Sequence, residues 1–185
     1  MGQQILALII QFVGSFYATI VLLRFLLQWA RADFYNPISQ FVVKATNPLL
    51  LPLRRLIPGF GGLDIAALVL GWLVMALMLT GLFAVSGFPL SPGFIAGLAL
   101  IKLAEIILNV YFWAIIAVIA LSWIAPGSYH PAAILLHQLT EPVMKPFRKV
   151  IPPMGGLDLS PIIVFLVINI LEIVLNNLAR GLVGY

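Results

Sequence analysis

The chain has 185 residues, 63% hydrophobic and only 9% charged, which leaves too little polar surface to coat a water-soluble fold, so lipid must be the solvent for most of it. Ten Lys and Arg against six Asp and Glu give a net charge of +4. No basic tail or aromatic-basic interleaving accompanies that excess, which argues against a nucleic-acid partner, and the absence of cysteine excludes disulfides, thiolate metal sites and thiol catalysis.

Crossing the hydrocarbon takes about 20 consecutive apolar residues, and the first such run is Ile5–Ala30. It lacks a basic n-region, exceeds the usual h-region length and ends at Arg24 and Trp29 without a small-residue cleavage site, so a retained helix is expected rather than a cleaved signal peptide. In the connector that follows, Ile38, Phe41, Val42 and Ala45 fall at i, i+3, i+4 and i+7, the apolar face of a short helix. Thr46 is suited to cap a second helix start, with Pro48 in its first turn and Arg54-Arg55 beyond, beside apolar residues. The expectation is an amphipathic helical hairpin over 37–57 lying in the headgroup layer. A hairpin packed only on its own spans is the alternative.

Gly61-Gly62-Leu63-Asp64 reads as a turn followed by a helix cap, glycine permitting unusual backbone angles and Asp64 accepting the orphan N–H groups of the next helix. A second apolar run, Asp64–Val85, and a short loop, Ser86–Gly93, come next. The third run, Phe94–Ile124, is longer than one straight crossing requires and predicts tilt, a bend near Gly97 or extension beyond the bilayer. A second connector repeats the amphipathic face in Ala132, Leu135, Leu136 and Leu139, predicting a hairpin over 131–151, and Leu159–Leu182 is the fourth run.

The two connectors match without a gap at a constant spacing of 94 residues. Trp29 pairs with Trp123, Tyr35 with Tyr129, Pro37 with Pro131, Thr46 with Thr140, Pro48 with Pro142, Pro52 with Pro146, Arg54 with Arg148 and Gly61-Gly62-Leu63-Asp64 with Gly155-Gly156-Leu157-Asp158. A match carried by Pro, Gly and charged residues does not arise from shared apolar composition, so the chain is read as two tandem repeats, 1–93 and 94–185. The fold class is therefore all-α membrane, with four transmembrane helices in two-span units. Arg31, Lys44, Arg54, Arg55, Lys145, Arg148 and Lys149 all lie in the connectors and only Arg180 on the other side. Basic-residue asymmetry then places both connectors in the cytoplasm and both termini outside, and makes the repeats parallel rather than inverted.

Thr140-Glu141-Pro142, Pro146-Phe147-Arg148, Ile151-Pro152 and Gly155-Gly156-Leu157-Asp158-Leu159-Ser160-Pro161-Ile162 resemble the signature of the YggT family, in its two-repeat bacterial form. Repeat one departs from it: Asn47 stands for the Glu, and Ile65-Ala66-Ala67 for the Leu-Ser-Pro. The resemblance implies a bacterial inner-membrane protein whose relatives are linked to tolerance of osmotic or ionic stress, to cell-division gene neighbourhoods and, in plastids, to cytochrome assembly. It implies no biochemical activity and no cofactor.

Three sets of residues are candidate sites. Gly61, Gly62, Asp64, Gly155, Gly156 and Asp158 form the turn-and-cap joints, where capping alone accounts for the residues. Arg54, Arg55, Lys145, Arg148 and Lys149 are placed to meet anionic lipid headgroups, with Arg54 and Arg148 either holding a lipid phosphate or pairing with the neighbouring aspartate. Lys102, Glu105 and Asn109 share a face of the third span, Asn169, Glu172 and Asn176 repeat that i, i+3, i+7 spacing on the fourth, and Gln11 and Ser15 are the weaker counterparts on the first. Lys102 and Glu172 each lie roughly 12 Å from the outer end of their helix, which predicts an ion pair between them. Interhelical hydrogen bonding is the favoured role of these groups and a conduction path, completed by a homo-oligomer, the alternative.

An enzyme is not expected: Asp64 and Asp158 begin helices at the membrane boundary instead of facing each other inside it, as an aspartic protease needs. His130 and His137 lack partners for a metal and are read as surface residues. The predicted role is non-enzymatic, supporting stress tolerance, membrane-protein assembly or cell division, with other membrane or division proteins as partners; a small ion channel or transporter subunit using Lys102, Glu105 and Glu172 is the alternative.

Overall fold

The computed structural model describes residues 1–87, 91–150 and 158–183 and is all-helical. Six helices follow in order: α1 (Gly2–Trp29), α2 (Pro37–Leu56), α3 (Ile65–Ser86), α4 (Pro92–Ile124), α5 (Pro131–Val150) and α6 (Ser160–Val183). Helices α1, α3, α4 and α6 are long and apolar enough to cross a membrane, and little of each is buried inside the protein. Their apolar outer faces require a lipid solvent, so this is a multi-pass membrane protein.

Helix ends follow local chemistry. Asn36 precedes Pro37, whose missing N–H is harmless in a first turn, and Asn36 Oδ1 accepts from the Ile38 N–H at 3.0 Å. His130, its counterpart one repeat later, accepts from Ala132 N–H at 3.2 Å through Nδ1. Asp64 caps α3 as expected, and Gly87 ends that helix in the left-handed conformation. Phe60 and Leu63 exchange both backbone hydrogen bonds around Gly61 and Gly62. Both glycines have positive φ, +61° and +81°, the pattern of a type I′ turn.

The connectors depart from the expected hairpins. Each is one helix of 20 residues running through its threonine and both internal prolines. Thr46 does not start a second helix, because its hydroxyl donates back to Val42 O at 2.8 Å, and Thr140 likewise donates to Leu136 O at 2.9 Å. The prolines leave the carbonyls of Lys44, Pro48, Gln138 and Pro142 without their i+4 donors, yet packing carries the helix through. The amphipathic faces are also divided differently. Ser39, Val42, Thr46 and Leu50 turn inward, while Ile38, Phe41, Leu49 and Leu56, a second apolar stripe, lie exposed, Phe41 at 60%. In α5 the counterparts of Phe41 and Ala45, Leu135 and Leu139, are buried instead.

Three buried clusters hold the bundle. One, at the connector end, joins Leu26 and Leu27 to Tyr111, Ile115, Leu135 and Met144. A second joins Ala18 and Leu22 of α1 to Met75, Met78 and Leu79 of α3 and to Ile95, Leu98, Ala99 and Leu103 of α4. The third seats α2 through Leu50 against Val21, Ala66, Ala67 and Leu70. Close approach needs small residues: a Cβ on Gly14 would fall 2.5 Å from Met78 Cγ, and one on Gly71 3.0 Å from Leu103 Cδ1. The repeats are parallel, for the connectors meet at one end, where Asn36 Nδ2 donates to Pro131 O at 2.7 Å and Asp33 N–H to Gln138 Oε1 at 2.9 Å.

Candidate functional site

At the end of α2 the I′ turn folds the chain back so that Asp64, 3% exposed, lies against Arg54 in the last helical turn. The guanidinium forks onto the carboxylate, Nε to Oδ1 at 3.3 Å and Nη2 to Oδ2, while Oδ1 also accepts the Ala67 N–H at 3.3 Å. Of the two roles open to Arg54 in the sequence, pairing with the aspartate is the one the structure shows. The second repeat does the same: Arg148 Nε reaches Asp158 Oδ2 at 2.8 Å and Nη1 reaches Glu141 Oε2 at 2.6 Å. Each pair ties the end of an amphipathic helix to the start of the following span. Gly61 and Gly62 form the turn between them; Gly155 and Gly156 lie outside the described residues.

Burial alone would raise the Asp158 carboxyl, but the hydrogen bonds from Arg148 and from Ser160 outweigh it and hold it below the ordinary carboxylate range. Burial opposes the Arg148 charge too, and its bonds to Asp158 and Glu141 overcome that and raise it above the usual arginine value. The ion pair is thus favoured from both sides.

Sequence reasoning missed Arg24, taken only as a marker of the end of the first span. It is buried, and Nη1 lies within hydrogen-bonding reach of Thr46 Oγ1 at 2.6 Å, Asn47 Oδ1 at 2.7 Å and Val43 O at 3.1 Å. The overlooked signal was an arginine inside the apolar run whose counterpart is Val118. Asn47, which stands where repeat two has Glu141, accepts from Arg24, whereas Glu141 accepts from Arg148. Arg24, Arg31 and Arg54 line a cavity of about 420 Å³ with Gln28, Val42 and Ser39, whose buried hydroxyl has no hydrogen-bond partner among the described residues. Arg31 has a φ of 52°, left-handed for a residue with a side chain. Arg55, Lys145 and Lys149 are exposed, and no ion pair engages them among the described residues.

Deeper in the bundle, Lys102 Nζ meets Glu105 Oε2 at 2.7 Å, one turn along the same helix. The expected Lys102–Glu172 pair is therefore replaced: among the described residues no ion pair joins them, because a carboxylate at i+3 lies within reach without crossing to another helix. Lys102, Glu105 and Asn109 face Gln11, Ser15 and Thr19 of α1 across a cavity of about 550 Å³, floored by Met75 and Met78 of α3. Asn109 Nδ2 donates to Glu105 O at 3.4 Å. On α6, Asn169 donates to Phe165 O at 2.7 Å, and Asn169 and Asn176 are exposed at membrane depth with Glu172 half-buried between them.

These features define a class: a multi-pass membrane protein made by tandem duplication of a two-span unit whose amphipathic connector is clamped to its second span. The chain belongs to the CCB3/YggT family, whose pattern it matches twice, over residues 3–84 and 97–179. It is 40% identical over 167 residues to the protein called YggT of Escherichia coli K12, covering 90% of this chain and 87% of that protein. An uncharacterised protein of Pseudomonas aeruginosa is 51% identical over 175 residues, covering 92% of this chain and 88% of its own length. YlmG homolog protein 2, chloroplastic, of Arabidopsis thaliana is 40% identical over 77 residues, 40% of this chain and 30% of that protein. No solved structure matches.

Proposed function

We propose that the chain is a non-enzymatic scaffold of the bacterial inner membrane, its amphipathic helices lying in the cytoplasmic headgroup layer and both termini on the outer side. In that setting it supports tolerance of osmotic or ionic stress, or the assembly of membrane and division proteins. The observation that carries this reading is the clamp repeated in both halves, Arg54–Asp64 and Arg148–Asp158. It fixes a helix across the bundle end, with an apolar stripe, Ile38, Phe41, Leu49 and Leu56, left outside. Such a stripe belongs at a lipid boundary. Arg55, Lys145 and Lys149 stay free for anionic headgroups, and the cavity under Arg24, Arg31 and Arg54 offers a basic recess of the kind that receives one.

Spin labels at Phe41→Cys and Lys44→Cys in a reconstituted bilayer test the placement. Phe41 should be relaxed by oxygen, which concentrates in lipid, and Lys44 by a water-soluble nickel chelate; equal exposure of both to the chelate would overturn the interfacial reading. For the role itself, a deletion strain carrying Arg54→Gln/Arg148→Gln should fail to recover growth after osmotic shock where the wild-type gene restores it. Full rescue by the double variant would remove the clamps from the function.

A channel or transporter subunit is a second reading, favoured by the polar cavity around Lys102 and Glu105. Ion flux into liposomes, lost in Lys102→Met or Glu172→Gln, is its test.

A further inference from the structure

The two units meet through unlike faces: α3 of unit one packs on α4 of unit two, whereas among the described residues their counterparts α6 and α1 do not touch, so no two-fold axis relates the units. Whatever face unit one gives to unit two therefore has a counterpart on unit two, and the converse, each 94 residues away. In this chain neither counterpart face is covered by the other unit. Trp29 rests edge-on against Tyr111 of the other unit, ring centroids 6.5 Å apart. Their counterparts are Trp123, 79% exposed against 43% for Trp29, and Tyr17 on α1, half-buried against α2 as Tyr111 is held in its own unit, with its hydroxyl donating to Ala45 O at 3.5 Å. Helix α4 buries Ile95, Ala99 and Leu103 in the junction, whereas Met1, Ile5 and Ile9, which hold those positions on α1, are each more than half exposed.

The cavity at the junction makes the same point. The six positions that α4 contributes to its wall recur one repeat earlier as Leu8, Gln11, Phe12, Ser15, Phe16 and Thr19, and these six line an open groove of about 460 Å³ on α1. The opposite open face is chemically matched to it. Met75 and Met78, which α3 gives to the junction, are replaced on α6 by Asn169 and Glu172, with Asn176 following in the stripe. Asn169 Nδ2 is met by Phe165 O of its own helix, but acyl chains offer no partner to the remaining polar atoms of the stripe. The α1 groove supplies the Gln11 amide and the accepting oxygens of Ser15 and Thr19, whose own hydroxyl protons go to Met78 Sδ and Ser15 O.

From this we infer that a second copy of the chain docks head to tail, its α6 stripe of Asn169, Glu172 and Asn176 seated in the α1 groove, so that the inter-repeat junction is used again between chains. The partner is a second copy because the docking face already exists once within the molecule, in the same register and with the same aromatic contact. The inference is independent of the stress and assembly role.

The chain has no cysteine, which makes site-directed cross-linking clean. Two differently tagged chains, one Tyr17→Cys and one Trp123→Cys, are co-expressed and treated in native membranes with a short bis-maleimide. A band carrying both tags is expected. Trp29→Cys/Tyr111→Cys within one chain is the control for folding and should give an intrachain product at monomer mass. The inference is overturned if the control forms and the mixed band does not, or if Trp123→Cys chains couple mainly to each other, which would mean like faces meeting about a two-fold axis.

Discussion

Arg54 and Asp64 meet where a helix end, a two-glycine turn and a helix start converge, so each side chain serves as both ion-pair partner and structural tie. Arg54→Met would leave the buried carboxylate uncompensated; because Arg54 is itself about one-third exposed, the cost should be about 2 kcal/mol, under the full penalty of a buried pair. A thermal-unfolding comparison in detergent measures it. The second clamp carries a pH dependence. Its aspartate, Asp158, ionises below the usual carboxylate value when folded, so its contribution is fully present above the unfolded value of about 4 and is lost as pH falls through the lower, folded one. The stability gap between wild type and Asp158→Asn should therefore be constant near neutrality and close below about pH 4. Arg31 closes α1 with two bonds of the Schellman kind, its own N–H to Gln28 O at 3.1 Å and that of Ala32 to Leu27 O at 2.9 Å, in a backbone conformation that suits glycine. Arg31→Gly should thus raise stability by about 1 kcal/mol while removing one cation from the basic cavity.

Among the elements, the connectors show how tertiary packing overrides local punctuation. Thr46 and Pro48 read locally as a helix start, yet Thr46 sits fully buried, donating to Val42 O and receiving Arg24, so α2 continues where the sequence predicts a break. No pattern within α2 announces Arg24, which comes from another helix. The spans were legible because about 20 apolar residues admit few alternatives; their partners were not. Gly14 brings α1 against α3, where an added Cβ meets Met78 Cγ, Cβ and Sδ at 2.5–2.9 Å. Gly14→Ala should destabilise by about 1–3 kcal/mol through overpacking, and Met78→Ala in the same chain should recover most of the loss, as a double-mutant cycle of melting temperatures would show.

For the whole molecule, duplication sets both symmetry and asymmetry. Parallel units place two basic connectors at one end, and the single junction between them leaves one unlike face exposed at each outer edge. The polar cavity within that junction is walled by Lys102, Glu105 and Asn109 but floored by methionines. If its role is to hold helices together, reconstituted wild-type protein should give no ion flux above empty liposomes, and Glu105→Gln should lower the melting temperature instead. Flux abolished by Lys102→Met would transfer the function to the cavity.

Composition and repeat spacing were enough for the lipid environment, the four spans, the duplication and the turn and cap at Asp64, because each rests on local chemistry: hydrocarbon length, a cap, a turn. Only the tertiary structure decided that Lys102 pairs with Glu105, that Arg54 holds Asp64, that Arg24 is buried and which side of α2 turns outward. Those outcomes depend on which helices pack together and at what rotation, and helices hydrophobic nearly all round carry no periodic signal to set it.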